Sequence, residues 1–234
     1  PMVSAAPALR IPAAPAPPGG LCLSRWLAVA FAASVGLGSF GLYAWHNGFP
    51  HYYHPDEPTK IRQVYANRAN FKHPLLLVNA TRTALGAPWR PIAPASAPPR
   101  AVAVAGRTVS AAFAALAVAL FCGLALARFG WMGGLLLAPL LVLSPGLLHA
   151  AHAMKEDAAF VFGIAAAMLG AWGFQRRPGA FGLAALALGC ALAGAAKYPG
   201  LLFLPLAALH FHRDIGRVAA PRWLPGGAWT LFLG

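Results

Sequence analysis

Long apolar stretches separated by short polar segments make up most of this chain. Several of them approach the roughly 20 apolar residues that a helix needs to cross the hydrocarbon core of a membrane, which is about 30 Å thick. The stretches cover about residues 21–43, 101–127, 131–150, 158–174, 180–196 and 199–211, and another begins near Trp223. The break at 197–200 predicts either a tight hairpin or a broken helix. The whole pattern predicts an all-α, polytopic transmembrane helical bundle.

The segment of about residues 46–100 is the only extended polar part of the chain, and its longest apolar run, 75–78, is far too short to cross a membrane. Pro58 suits the first turn of a helix that extends to about Asn70, with Asp56 or Glu57 near its N-cap. We therefore predict a long first outer loop with surface helices that lie along the membrane. Residues 1–20 are rich in Pro and Ala and predict a flexible tail. Residues 21–234 would then be the N-terminal part of one polytopic domain, and we expect the chain to be a piece of a longer protein.

Composition supports a membrane protein and argues against a nucleic-acid partner. The chain is 59% hydrophobic and 10% charged, whereas ordinary soluble domains are roughly 25% charged. The formal net charge is +13, but the arginines are spread singly between apolar runs and form no basic stripe with interleaved aromatics. Loops that face anionic membrane lipid explain this charge more simply.

The first apolar stretch has two interpretations. Arg25 followed by an apolar run resembles a signal peptide. The run is long for such a peptide, however, and no clear small-residue cleavage site precedes His46, so an uncleaved helix is favoured.

The positions of the cations predict an orientation. With a cytoplasmic tail, most short-loop cations fall inside and only Lys155 and Lys197 fall in outer short loops, as the positive-inside rule expects. The inner set is Arg128, Arg176, Arg177, Arg213, Arg217 and Arg222. The cations of the long loop do not follow this count, because long loops obey the rule poorly. The Ala, Gly, Pro and Arg bias is typical of GC-rich bacterial genes, which points to a bacterial inner membrane.

Carboxylates are scarce, and four of the five acidic residues form two adjacent pairs, Asp56-Glu57 and Glu156-Asp157. Ionised groups near hydrocarbon are costly and persist mainly where they have a function. The predicted topology places both pairs on the outer face, so we predict that they converge on one site. The alternative is helix capping, since acids at a helix start stabilise its dipole.

Cations accompany these pairs. Lys155 and two histidines crowd the loop before Glu156, which favours a polar or metal-dependent site over capping alone. Arg107 has two interpretations: it snorkels to the interface, or it compensates an anionic phosphate or a site carboxylate. Lys197, beside Tyr198, has the same two interpretations.

The order and spacing of several short motifs resemble the GT-C membrane glycosyltransferases, in the branch of the protein mannosyltransferases and aminoarabinose transferases (glycosyltransferase family 39-like). The resemblance covers about residues 21–212. The motifs are His54-Pro55-Asp56-Glu57, His73-Pro74-Leu75-Leu76, Arg107, Ser144-Pro145, His152 with Lys155-Glu156-Asp157, and Gly194 with Lys197-Tyr198.

This resemblance implies an enzyme that transfers a sugar from a polyprenyl-phosphate carrier to an acceptor hydroxyl on the outer face, usually with inversion. It implies a catalytic or metal-associated carboxylate at Asp56, with Glu57 beside it as a further candidate catalytic residue, and a second catalytic acid of the same cavity at Asp157. Donor phosphate and substrate would be bound by a set of mostly basic side chains. That set is Lys155, Lys197, Arg107, His54 and Tyr198.

The residue types permit this chemistry. A carboxylate can take the proton of the attacking hydroxyl, and cations or a metal can stabilise the departing phosphate. An oxygen-ligand site suits Mg²⁺ or Mn²⁺, with Asp56, Glu156 and Asp157 as candidate ligands.

Two other functions compete with this one. A transporter or flippase-like protein would carry charges deep within several helices and inverted repeats, whereas here the charges stand at the ends of the apolar runs and no repeat is visible. A structural membrane subunit would use its acids only as caps.

Overall fold

The computed structural model describes residues 25–49, 54–66, 74–87, 92–94 and 96–219, with side chains described as far as Phe211. The predicted tail at 1–20, His73 and the stretch beginning near Trp223 lie outside these ranges. Within them the chain is helical and contains no strand, which confirms the all-α class. The helices are α1 (Arg25–Ala44), α2 (Glu57–Ala66), α3 (Leu76–Ala84), α4 (Pro99–Val142), α5 (Pro145–His152), α6 (Asp157–Arg176), α7 (Ala180–Ala196) and, after a 3₁₀ turn (Tyr198–Leu202), α8 (Phe203–Ala219).

Three described helices are long and apolar enough to cross a membrane: Trp26–Ala44 of α1, α4, and α6. Helix α7 and the segment Tyr198–Phe211 are shorter apolar helices. The predicted spans at 158–174 and 180–196 therefore appear as α6 and α7. The break after Ala196 is a tight reversal, in which Lys197 is extended and the 3₁₀ turn leads into α8.

Helix α4 reverses its direction at Gly130, where φ is 69° and ψ is −163°. Glycine takes a positive φ without the steric cost that a Cβ imposes. The second arm runs parallel to α1, because the ring of Phe31 meets that of Trp131 at 5.5 Å and the Tyr43 hydroxyl donates to Val142 O at 3.0 Å. The predicted boundary between spans at 127–131 is therefore a turn inside α4.

The first arm of α4 runs antiparallel to α1. Near its start, Arg100 Nη2 donates to Gly48 O at 2.9 Å. About five turns further along α4, a Cβ placed on Gly36 would lie only 2.9 Å from Ala119 Cβ, so the two helices are in close contact. Helix α1 thus lies beside both arms of α4, antiparallel to the first arm and parallel to the second.

The predicted span at 131–150 is wrong in its second half. The helix ends at Val142, and α5 begins at Pro145 after a non-helical Ser144. Proline lacks the N–H that would continue the hydrogen-bond ladder but suits the first turn of a new helix. The second arm of α4 is thus roughly 18 Å long at 1.5 Å per residue, and α5 is a separate short helix beside it.

Helices α6 and α7 form a tight antiparallel hairpin through glycines. The backbone of Gly163 lies against Ala193, and that of Gly170 lies against Leu186, so that neither glycine has room for a Cβ. Such close approach of backbones is typical of small-residue interfaces between membrane helices. Helix α8 then packs back on α6, since Phe174 and Phe211 meet edge to face at 5.4 Å.

These directions bring several helix ends together at one end of the bundle, which we call the site end. Ser110 Oγ donates to Lys155 O at 3.4 Å, and Lys197 contacts Asp157, so α4, α6 and α7 all meet there. The other end carries Arg128, Arg176 and Arg177. The two lysines and these three arginines thus lie at opposite ends of the bundle, as the positive-inside count predicts. Which end faces outward stays a prediction.

The predicted outer loop contains two short helices, and its described residues include no further span, as predicted. Helix α2 spans Glu57–Ala66, and residues 67–70, through which it is predicted to continue, lie outside the described ranges. Both helices pack on the start of α4 through one apolar cluster. Its core includes Ile61, Val64, Leu77, Val78, Val102 and Met154. The loop is thereby fixed over the site end.

Candidate active site

A fully buried ion pair between Arg107 and Glu57 fixes the centre of the site end. Arg107 Nε donates to Glu57 Oε1 at 2.8 Å, and Nη2 donates to Oε2 at 2.7 Å. This two-bond geometry is the strong, directional form of arginine–carboxylate pairing. Helix α2 is thus fixed to the first arm of α4 by a pair that contacts no solvent.

Further contacts of Arg107 tie the segment after α1 to the same point. Its Nη1 donates to Asn47 O at 3.1 Å and to Phe49 O at 2.9 Å, and the guanidinium stacks over the Phe49 ring at 4.0 Å. The snorkelling interpretation of Arg107 is therefore wrong, because the loop covers the side chain. The alternative of pairing with a site carboxylate is the observed one.

The Glu57 carboxylate stays ionised in spite of its burial. Burial opposes ionisation, but hydrogen bonds from Arg107 and from the Met154 backbone N–H at 3.2 Å outweigh it and hold the pKa of Glu57 below its usual value. Met154 lies between α5 and α6. Glu57 therefore joins α2, α4 and the approach to α6, and its side chain does not cap α2.

A second buried ion pair joins α2 to the start of α6. Lys60 Nζ lies 2.9 Å from Glu156 Oε2, and each side chain is only 3% exposed. Sequence reasoning missed Lys60 as a site-building residue. The signal was its position three residues after Glu57, which puts both side chains on one face of the helix. Glu156, which the sequence predicts as a possible metal ligand, forms an ion pair with this ammonium group.

Asp157 forms a partly exposed cluster with two lysines. Lys155 Nζ lies 3.1 Å from Asp157 Oδ2, and Lys197 Nζ donates to Oδ1. The three side chains are between a quarter and a third exposed. Because two cations meet one carboxylate, the cluster keeps a positive charge at the surface of the site end.

Asp56 stands apart from the buried pairs. Its side chain is 49% exposed, and Oδ2 lies 3.7 Å from Nδ1 of His54. The Asp56 backbone N–H donates to the same ring nitrogen at 3.2 Å. On the other side, the His54 ring meets that of His149 of α5 at 5.6 Å. The adjacent acids of the loop thus differ: Glu57 is buried and bound to a cation, while Asp56 faces outward.

The two acidic pairs meet, as predicted, through their buried members. Helix α2 contacts the start of α6 through the bond from Met154 to Glu57 and through the bond between Lys60 and Glu156. Tyr198, half-exposed, follows Lys197 in the 3₁₀ turn at the same end.

The predicted metal ligands Asp56, Glu156 and Asp157 are not gathered around one point. In the described part of the chain no group of three His, Cys, Asp or Glu side chains is placed to hold a metal ion. Lysine ammonium groups bond Glu156 and Asp157, so those oxygens face cations of the chain itself. A requirement for Mg²⁺ or Mn²⁺ stays a prediction of the sequence, and we derive no step through a metal.

Comparison with known families identifies the class of protein to which this chain belongs. The family model described as dolichyl-phosphate-mannose-protein mannosyltransferase matches residues 74–228. The match includes Arg107, Lys197 and the acidic pair at 156–157 but begins after Asp56. No curated protein and no solved structure matches the chain. The chain belongs to the dolichyl-phosphate-mannose-protein mannosyltransferase family and is an integral membrane glycosyltransferase of GT-C type.

Proposed function

We propose that the site end transfers a sugar from a polyprenyl-phosphate carrier to an acceptor hydroxyl, with inversion, on the outer face of a bacterial plasma membrane. The observation that carries this proposal is that a half-exposed carboxylate, Asp56, and a positively charged Lys155–Asp157–Lys197 cluster lie at the same end of a membrane bundle. The description of the matched family, which names a lipid-phosphate mannose and a protein, supports the donor class and makes a protein hydroxyl the first acceptor to try.

Asp56 is the proposed general base. Its carboxylate takes the proton of the acceptor hydroxyl while that oxygen bonds to the anomeric carbon of the sugar. The bond from this carbon to the phosphate oxygen breaks, and its electron pair leaves with the lipid phosphate. A single displacement of this kind inverts the configuration at carbon.

The lysine cluster is the proposed phosphate site. Lys155 and Lys197 stand at a surface where they can meet an anion, and cations so placed stabilise the charge that develops on a leaving phosphate. Asp157 holds both ammonium groups in place. Tyr198 and His54, which flank the two parts of the site, are proposed to contact the substrate.

Glu57 and Arg107 are proposed to position the loop that carries Asp56. Both are fully buried, and Arg107 donates hydrogen bonds to Glu57 and to two backbone carbonyls. We therefore assign the donor phosphate to the lysines and assign Arg107 to holding the loop that carries Asp56.

The transporter alternative gains no support. In the described side chains of α1, α4, α6 and α7, charges stand at or near helix ends or at the Gly130 turn. These are Arg100, Arg107, Arg128, Asp157 and Arg176.

A transfer assay tests the proposal. Purified full-length protein receives a polyprenyl-phosphate sugar, with mannose and a pentose in separate arms, and an acceptor peptide or glycolipid. Asp56→Asn is expected to lower turnover by about 10²–10⁴, the loss typical of a positioned general base, with an unchanged melting temperature. Near wild-type turnover in Asp56→Asn would remove this mechanism. Equal losses in Asp56→Asn, Glu57→Gln and Asp157→Asn would point to a shared metal site instead.

A further inference from the structure

A groove runs along the α6–α7 hairpin on a side that the described helices leave open. It has a volume of about 630 Å³ and is lined by residues of α6, α7 and the turn between them, with Leu120 of α4 beside them. Its walls are mostly apolar and include several glycines, so few side chains fill the space. Leu188, which lines it, is 61% exposed, and Phe181 is 89% exposed. Because α6 is long and apolar enough to cross a membrane, the open side of the groove lies at the depth of the hydrocarbon core.

The groove is about as long as one leaflet of a membrane is deep. Its lining along α6 begins at Ala166 and ends with Arg177, just past the end of the helix, a distance of roughly 16 Å at 1.5 Å per residue. Half of the hydrocarbon core measures about 15 Å. A single acyl chain that extends from the membrane surface toward its middle therefore matches the length of the groove.

Positive charge stands at the end of the groove that lies at the membrane surface. Arg177 is the one charged side chain among the described residues that line it. The guanidinium of its neighbour Arg176 stacks over the ring of Trp172, another lining residue, at 4.3 Å. The carboxylates whose side chains the structure describes all lie at the site end, at the opposite end of the bundle. No described carboxylate therefore neutralises these two arginines.

We propose that the groove binds an anionic phospholipid, with one acyl chain along the glycines and the phosphate against Arg177. The apolar walls suit a hydrocarbon chain, and a guanidinium can bond two phosphate oxygens at once. Basic pockets between membrane helices on the cytoplasmic side bind anionic head groups, and the predicted orientation places Arg177 on that side. The lipid-linked sugar donor does not suit this groove, because its proposed phosphate site, the lysine cluster, lies at the opposite end. The lipid site takes no part in the proposed transfer.

Lipid titration of the full-length protein, stripped of bound lipid in a neutral detergent and followed by native mass spectrometry, tests the head-group contact. We expect phosphatidylglycerol to bind more tightly than phosphatidylcholine with the same acyl chains. Arg177→Gln should weaken the binding of phosphatidylglycerol about fivefold, the contribution of one cation near an anionic head group, and should leave the binding of phosphatidylcholine unchanged. Inorganic phosphate should not compete, because the acyl chain supplies much of the binding.

Gly173→Leu tests the place of the acyl chain. Gly173 lines the groove, and a Cβ on it would meet nothing within 4 Å. Leucine also favours a helix more than glycine does, so the variant should fold while its side chain occupies the groove and weakens the binding of both lipids. The matched controls are Gly41→Leu of α1, where a Cβ likewise meets nothing within 4 Å, and Arg128→Gln beside the Gly130 turn. Neither control should change the affinity for either lipid.

Equal affinities for the two lipids in the wild type would overturn the proposal, since Arg177 would then select no head group. Unchanged affinities in Gly173→Leu would overturn it too, because the bound lipid would lie elsewhere. A dimer in the mass spectrum that Gly173→Leu removes would show instead that a second copy fills the groove. Should Gly173→Leu fail to fold, Arg177→Gln still decides. Lipid binding is measured without sugar transfer, so a failure here leaves the proposed function untouched.

Discussion

Glu57 and Arg107, 50 positions apart in the chain, form a bidentate ion pair that is fully buried between the loop and the membrane helices. The same carboxylate accepts the backbone N–H of Met154, and the same guanidinium bonds the segment after α1. Four separate parts of the chain therefore depend on one pair. The orientation of Asp56 depends on it too, since Asp56 precedes Glu57 directly.

Removing one partner of this pair should destabilise the protein severely. Arg107→Met leaves the Glu57 carboxylate buried without its cation, and breaking a buried pair in this way typically costs about 3–5 kcal/mol. The double variant Arg107→Met with Glu57→Leu removes both charges and should be more stable than Arg107→Met alone. Thermal unfolding in detergent measures both. A single variant as stable as the wild type would contradict the buried pair.

The buried pair of Lys60 and Glu156 should tolerate an exchange of charges better than a loss. Lys60→Met leaves Glu156 without its ammonium partner and should lower the melting temperature strongly. Lys60→Glu combined with Glu156→Lys keeps one charge of each sign and should recover part of the loss. Arg62→Met is the control, because its hydrogen bond to Thr59 is exposed. Equal effects of the two single methionine variants would argue against the burial of Lys60.

Stability should fall in acid because of Glu57. Its pKa is lower in the folded protein than in the unfolded chain, since the bonds from Arg107 and Met154 outweigh burial. The stabilisation is therefore complete above the unfolded pKa, about 4.3 for a free Glu. It is lost as the pH falls through the folded pKa, because the unfolded state then takes up the proton first. Melting temperatures of the wild type and of the Arg107→Met, Glu57→Leu double variant measured from pH 6 downward test this. The double variant should show a shallower acid decline, and parallel curves would refute the assignment to Glu57.

The glycines of the α6–α7 hairpin predict a position-dependent effect of side-chain size. Gly189 lies against the backbone of Ala167 with no room for a Cβ, whereas a Cβ on Gly38 of α1 would meet nothing within 4 Å. Gly189→Leu should therefore separate α6 from α7 and lower both stability and transfer, because Asp157 and Lys197 stand at the ends of these helices. Gly38→Leu is the matched control and should change neither. The test is to measure the melting temperature and turnover of both variants. Equal values for Gly189→Leu and Gly38→Leu would contradict the tight hairpin.

The sequence predicted the features that depend on length and periodicity. Helices α6 and α7, the turn near Gly130 and the short helices of the loop all follow from the length of apolar runs and from Pro and Gly signals. The meeting of the two acidic pairs followed from counting spans. These predictions need no knowledge of which side chains touch.

The sequence could not predict which partner each charge would take. The sequence left two interpretations of Arg107, snorkelling to the membrane interface or pairing with a carboxylate. Its burial depends on α2 folding over it, and the composition of α4 does not reveal such a tertiary contact. Glu156 was proposed as a metal ligand because Lys60, about 100 residues earlier, was not recognised as its neighbour. The end of α4 at Val142 was missed because Ser144-Pro145 was placed inside the span predicted at 131–150 and was not treated as a helix break.

The bond between Met154 and Glu57 also fixes an order of events during biosynthesis. Glu57 leaves the ribosome long before Arg107 and Met154 do, so the loop cannot be secured when it first reaches the aqueous side of the membrane. We therefore expect the charged face of α2 to remain accessible until Arg107 and Met154 have both emerged. Cleavage by a protease added to nascent chains of increasing length would therefore persist at α2 until α6 has emerged and would then stop.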